Sequence, residues 1–276
     1  MRILVLGSDG MLGHRLVLGL GARHEITAAT RSDADVRNMP RVRALLAASA
    51  AEAVVNAVGV IPQRQGGDDP NENLEVNALF PPLLARACGD AGARLIHVST
   101  DCVFSGLRGD YSEQDAPDPI DLYGRTKLRG EVEGAATLTL RTSLIGPSPS
   151  RRTGLVEWFV AQPGPVQGYR NAIFSGLTTL EFTRVVDGLL ARPPAGGLYH
   201  VSAAPISKLE LLTQLRDRLG LATRIVAVDE PRIDRSLDSS RFRTAFSYAP
   251  PSWDAMLDEL AAQMKKPDPS RDRAFR

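Results

Sequence analysis

Tyr123-Gly124-Arg125-Thr126-Lys127 sets a phenol and an ammonium group four residues apart, on one face of a helix. A tyrosine with an ordinary pKa of ~10 is a poor acid at neutral pH, and a neighbouring cation lowers that value. The pair is therefore a candidate general acid/base whose proton can be relayed. Ser99-Thr100-Asp101 adds a hydroxyl at the carboxyl end of a strand-like run, where it can orient a substrate carbonyl for reduction. Near the start, Gly7-Ser8-Asp9-Gly10-Met11-Leu12-Gly13 spells G-x-x-G-x-x-G between a strand and a helix. Glycines there permit a tight turn and close approach of a pyrophosphate, and the helix start holds the anion. Each signal alone arises by chance. Glycine loop, strand-end hydroxyl and Tyr-x-x-x-Lys in this order form a specific combination.

The second strand ends in Thr30-Arg31-Ser32, with no acid to receive the 2′-hydroxyl of an adenosine ribose. Arg31 suits a 2′-phosphate instead, which favours NADPH with NADH as the alternative cofactor; its bland reading is a solvated arginine. Asp35 and Val36 follow closely enough to bracket the adenine edge.

These groups need a scaffold. Short apolar runs at Arg2–Leu6, Glu25–Ala29, Ala53–Ala57, Arg94–Val98 and Thr137–Arg141 read as strands. Helical patterns lie between them at Met11–Leu20, Val42–Ala48 (which Pro40 can start) and Glu72–Ala91. That alternation predicts an α/β protein, a Rossmann-like doubly wound parallel sheet with a smaller C-terminal cap that binds substrate. Residues 1–146, with a returning segment near 170–200, form the expected dinucleotide-binding domain. Residues 147–264 are mostly cap, with helices at Leu180–Leu190, Lys208–Leu219 and Trp253–Met264, and 265–276 reads as a disordered polar tail.

Composition supports an enzyme of ordinary solubility. Hydrophobic residues at 43%, charged residues at 24% and a formal net charge of +1 leave no basic field for nucleic acid or an anionic membrane. No apolar run reaches the ~18–20 residues that span a bilayer, and Ile3–Leu6 is too short and too early for a signal peptide. Cys88 and Cys102 make neither a disulfide framework nor a metal cluster, and the histidines show no ligand spacing. The expectation is a cytoplasmic protein without a metal. His97, inside a strand, reads as a core residue.

With these motifs in hand, residues 1–260 resemble the extended short-chain dehydrogenases/reductases, most closely the dTDP-4-dehydrorhamnose reductase-like branch. The resemblance rests on the glycine loop, Asn56-Ala57-Val58-Gly59, Val76-Asn77, Ser99-Thr100-Asp101-Cys102-Val103-Phe104-Ser105-Gly106, Tyr123–Lys127 and Leu140-Arg141-Thr142-Ser143. Gly197–Ser202 and Ser207-Lys208 are similar to that branch's C-terminal half. It implies hydride transfer between a nicotinamide cofactor and a sugar ring carbon. Thr100 would then bind the carbonyl and Tyr123 donate the proton. Lys127 would hold the nicotinamide ribose and lower the Tyr123 pKa. Ala57, Val58 and Gly59 would line the adenosine path, and Asn77 would support the active-site helix. The branch carries Tyr where this chain has Cys102 and Trp where it has Leu144, both near the sugar. Cys102 is thus a pocket-wall candidate, or else a small buried hydrophobe.

Asp101, Cys102, Ser143, Asn171 and Ser175 are the expected substrate contacts, and Arg235 and Arg241 can meet a diphosphate. The leading reading is an NAD(P)H-dependent reductase of a nucleotide-linked keto-sugar, with a homodimer considered as the assembly. The alternatives are an epimerase or dehydratase that keeps its cofactor bound, and a non-catalytic nucleotide-binding regulatory subunit.

Overall fold

A computed structural model describes residues 1–64, 66–149 and 154–265. Five parallel strands, β1 (Arg2–Leu6), β2 (Glu25–Ala29), β3 (Ala53–Asn56), β4 (Arg94–Thr100) and β5 (Thr137–Thr142), form the main sheet with the Gly197–His200 strand. Their spatial order is β2-β1-β3-β4-β5, followed by Gly197–His200 beside β5. In register, Val5 stands between Ala28 and Val55, and Thr100 lies beside Thr142. The winding reverses between β1 and β3. Their carboxyl ends diverge there and leave the crevice in which α/β sheets bind ligands.

Why the apolar runs become central strands is visible in the two cores. Ile3 and Val5 pack into one, with Leu12, Leu16 and Leu20 of α1 (Met11–Leu20) and Phe182 of the Thr179–Leu190 helix. Leu4 and Leu6 pack into the other, with Val42 and Leu46 of α2 (Met39–Ser49) and Leu84 of the Phe80–Asp90 helix. A strand buried on both faces needs continuous apolar residues, and each fully buried Leu contributes roughly 1.5–3 kcal/mol. Asn38 starts α2 by accepting a hydrogen bond from the Arg41 N–H at 3.2 Å, with Pro40 in the first turn.

The helix expected over Glu72–Ala91 is a composite of Pro70–Asn73, a π-helical turn over Leu74–Leu79, and Phe80–Asp90. Pro81 and Pro82 explain the interruption. Neither can donate to the carbonyls of Asn77 and Ala78, and the Phe80 N–H bonds instead to the Glu75 carbonyl, five residues back.

After β5 the chain builds small elements and sheets of its own, then re-enters the main sheet. The Thr179–Leu190 helix packs on α1, and Gly197–His200 pairs with β5, Leu198 lying opposite Thr139. A three-stranded sheet sets Ala172–Phe174 between Ile206–Ser207 and Ile233–Asp234. Lys265 closes the Trp253–Lys265 helix, so it leaves the tail expected to be disordered; residues 266–276 lie outside the described residues. Among the described residues no helix is long and apolar enough to cross a membrane.

Candidate active site

β1 ends at Gly7, whose φ of +79° lies in the region that favours glycine. The Gly7 and Ser8 N–H groups both donate to the Ala29 carbonyl, at 2.9 and 3.0 Å. A Cβ on Gly13 would stand 2.0 Å from the Gly7 carbonyl oxygen, so α1 rests on the turn only because that position is bare. Gly10 caps α1 with no side-chain hydrogen bond, and no acid occupies the first turn. The positive end of the helix therefore faces the crevice with no side chain on its cap residue and no acid in its first turn, which fits a diphosphate.

That crevice encloses about 720 Å³, its open mouth included, and Gly7, Asp9, Gly10, Arg31, Asp35, Val36, Ala57, Val58 and Gly59 all line it. Met11, Leu12 and Gly13 do not; they form the first turn of α1, with the Leu12 side chain buried in the core. Arg31 is not simply solvated. Its Nε donates to Asp35 at 3.3 Å and its Nη1 to Glu72 Oε1 at 3.0 Å, and the same oxygen accepts from Arg64 Nη2 at 3.0 Å. Asp35 is held well below the ordinary carboxylate range, chiefly by its hydrogen bonds from Arg37. Asn77 acts from behind. Its Oδ1 accepts from the Val60 N–H and its Nδ2 donates to the Val60 carbonyl, both at 2.9 Å, which pins the loop after β3. The same Nδ2 lies 3.4 Å from Thr126 Oγ1 on the helix that carries Tyr123.

The helix Leu122–Arg129 begins where Asp121 Oδ1 accepts from the Gly124 N–H at 2.7 Å. Gly124 packs on the Cys102 carbonyl so closely that a Cβ would lie 2.1 Å from that oxygen. This docks the helix on the turn after β4, where Thr100 Oγ1 accepts from the Cys102 N–H at 3.1 Å. The Tyr123 phenol stands beside Thr100, and desolvation of the phenol pushes its pKa above the ordinary 10. Tyr123 is thus held as the protonated acid. The Tyr-x-x-x-Lys spacing predicts a pKa lowered by Lys127; in the fold desolvation dominates and the shift is upward. Lys127 is itself pulled down to about 8 by burial, and its Nζ donates to the Val98 carbonyl at 2.7 Å. Glu131 opposes that fall only partly. Its carboxylate is gripped by Arg141 through Nε at 2.8 Å and Nη2 at 2.7 Å, and it accepts from Ser99 Oγ at 2.7 Å.

Beside Thr100, burial raises the Asp101 carboxyl while Arg235 and Lys208 oppose the rise. Arg235 Nη1 lies 3.4 Å from Cys102 Sγ, and its Nε donates to the Phe104 carbonyl at 3.0 Å. Cys102 is pushed up to about 12 by burial, which favours the thiol over the thiolate. Lys208, with Nζ 3.8 Å above the Phe174 ring, was not foreseen. The register accounts for Arg235: Asp234 lies beside Ile173 in a parallel pair, so Arg235 comes next to Phe174, whereas the antiparallel partner of Phe174 is Ile206 and Lys208 reaches the ring from the start of its own helix.

The other expected substrate contacts are spread more widely. Ser143 directly follows Thr142, the strand neighbour of Thr100. Ser175 is buried and accepts from the Leu237 N–H at 2.8 Å, a stitch within the cap. The Asn171 amide donates to the Asp229 carbonyl at 2.8 Å. Arg241 is not brought to the catalytic turn; it stacks 4.6 Å from the Tyr199 ring and donates to the Leu198 carbonyl at 3.2 Å. His97 does sit in the core, its Nδ1 3.1 Å from Asn56 Nδ2.

A family profile described as the RmlD substrate binding domain matches residues 1–146, which hold the crevice, Thr100, Tyr123 and Lys127. The chain belongs to this family. Within the RmlD-like proteins, a dTDP-4-dehydrorhamnose reductase of Mycolicibacterium smegmatis is 37% identical over 133 residues, 47% of this chain and 40% of that one. A dTDP-4-keto-6-deoxy-D-glucose reductase of Streptomyces niveus is 38% identical over 132 residues, 47% of this chain and 46% of its own. The chain thus spans less than half the length of these two curated relatives. The fold extends further: a crystal structure of the Bacillus anthracis dTDP-4-dehydrorhamnose reductase in complex with NADP superposes with a TM-score of 0.85. It covers 96% of this chain and 99% of that one at 21% identity.

Proposed function

We propose that this RmlD-family chain is an NADPH-dependent reductase of a nucleotide-linked keto-sugar, of the 4-keto-6-deoxy kind, in deoxysugar or polysaccharide precursor synthesis. One observation carries the reading: Tyr123 stands beside Thr100 at the carboxyl end of β4, with the buried Lys127 on the same helix, at the sheet end where the glycine crevice opens. A bound reduced nicotinamide supplies the hydride. Gly7, Gly10 and the start of α1 hold its diphosphate, and Ala57, Val58 and Gly59 flank its adenosine half. Thr100 orients the substrate carbonyl. Tyr123 gives its proton to the carbonyl oxygen as charge develops there, and Lys127 returns the proton. Asp101, Cys102, Ser143 and Arg235 shape the sugar side, while Ser175 and Asn171 hold the cap that covers it. The setting is cytoplasmic and the assembly a homodimer.

The test is NADPH oxidation, followed by absorbance, against a panel of 4-keto-6-deoxy nucleotide sugars. Wild type consumes NADPH with at least one of them. Tyr123→Phe binds NADPH nearly as well and turns over ~10²–10⁴ more slowly. Full activity in that variant removes Tyr123 as the acid. A wild type that binds NADPH and reduces nothing across the panel points to a regulatory subunit.

A further inference from the structure

Three side chains from three separate elements meet at the mouth of the adenosine crevice. Arg31 follows β2, Arg64 lies in the loop after β3, and Glu72 stands on the Pro70–Asn73 helix. One carboxylate oxygen, Glu72 Oε1, receives both guanidinium groups at 3.0 Å. The carboxylate is 14% exposed and Arg64 22%, and all three residues line the crevice. As a device for stability the Arg31 arm is weak, because it is 51% exposed and such ion pairs contribute little. Asp35 does not compete strongly for these arms, since Arg37 takes it at 2.6 Å.

We propose that Arg64 and Glu72 set the cofactor preference of this crevice. Arg31 and Arg64 are the two arms that grip a phosphate on the 2′ oxygen of an adenosine ribose. Glu72 is the carboxylate that occupies those arms beforehand and accepts a 2′-hydroxyl when the phosphate is missing. The inference rests on the dinucleotide reading above and deepens it. A guanidinium fork matches phosphate oxygens in the way it matches carboxylate oxygens, so two arms already converged on one oxygen are placed for the exchange. The cost falls on Glu72: a 2′-phosphate brings like charge to it and must draw the arms away. A 2′-hydroxyl meets no such repulsion and finds an acceptor, the role an acid plays in NAD sites. The crevice then admits both cofactors, with the balance set by a residue outside the glycine motif and outside β2.

The experiment uses adenosine 2′,5′-bisphosphate and adenosine 5′-monophosphate as probes, titrated calorimetrically into the full chain, so that no turnover is needed. Glu72→Gln is expected to bind the bisphosphate about fivefold more tightly and the monophosphate no more tightly. Arg64→Gln is expected to weaken the bisphosphate about tenfold and leave the monophosphate within about twofold. Unchanged circular dichroism and melting temperature show that each variant is folded. The inference is overturned if the ratio of the two affinities stays within about twofold of wild type in both variants, or if Arg64→Gln weakens both probes equally. Wild type that binds neither probe overturns the dinucleotide reading as well. Wild type that binds both and reduces keto-sugars with NADPH, with the ratio unmoved in the variants, overturns this inference alone.

Discussion

Replacing Lys127 with Met should make the protein more stable and nearly inactive. Met keeps the aliphatic stem and deletes the charge. In the fold Lys127 titrates at about 8, against an ordinary 10.5, because burial disfavours its ammonium and Glu131 is already committed to Arg141. The difference of about 2.5, at ~1.4 kcal/mol each, means that folding a charged Lys127 costs about 3 kcal/mol at pH 7. The sign follows from proton counts. Between pH 8 and 10.5 the unfolded chain binds more protons at this lysine than the native one, so native stability rises with pH across that window. The Met variant lacks this dependence. Its advantage should be about 3 kcal/mol at pH 7, on the order of 5–10 °C in melting temperature, and should vanish as pH passes 10.5. Urea unfolding of both proteins at pH 7, 9 and 10.5 reads the difference, and NADPH oxidation reads the loss of turnover, expected at ~10²–10⁴. A Met variant less stable at pH 7, or an advantage constant across the three pH values, would refute the claim that Lys127 is a buried cation held at a cost.

Other perturbations probe the remaining parts of the site. Gly13→Ala forces a Cβ to within 2.0 Å of the Gly7 oxygen, so it should destabilise the fold by roughly 1–3 kcal/mol and weaken NADPH binding. Unchanged unfolding and unchanged fluorescence titration would mean that the turn yields freely. Arg31→Ala should weaken NADPH about ten- to a hundredfold while sparing NADH, as loss of a charge-assisted bond to phosphate implies; equal loss of both, or loss of neither, would refute Arg31 as the reader of the 2′-phosphate. Asn77→Ala orphans the N–H and carbonyl of buried Val60 and should cost on the order of 2–5 kcal/mol in denaturant unfolding. A loss near zero would show that Val60 finds other partners.

How much of this was legible beforehand depends on the range over which each feature is written. β1 to β5, the glycine turn and the Tyr123–Lys127 pair are local patterns, and a local pattern can be read. The π turn at Leu74–Leu79 was not read: the apolar pattern over Glu72–Ala91 suggested one continuous helix, although Pro81 and Pro82 in the middle of the run marked where it would break. Lys208 and Arg235 come together through two strands of two residues each, too short to leave any periodicity. Arg241, only six residues beyond Arg235, is carried elsewhere by the Ser240–Phe246 helix. Arg141 did leave a hint, since a cation inside a wholly buried strand demands an acid, but nothing nearby in the chain names Glu131 as that acid.

The protonation states mark a deeper limit. Tyr-x-x-x-Lys spacing brings a phenol and an ammonium together, and on spacing alone the cation should win and favour the tyrosinate. In the folded protein burial acts on both groups, and it disfavours charge on each: Tyr123 keeps its proton and Lys127 gives its own up more readily. Those are the states that reduction needs, a phenol ready to donate and, behind it, an amine poised near neutrality to pass a proton on. The direction of the chemistry is therefore written less in the motif than in what covers it. The Asp121 cap, Gly124 against the Cys102 carbonyl, and Glu131 withdrawn by Arg141 together set the surroundings in which charge on either group is disfavoured.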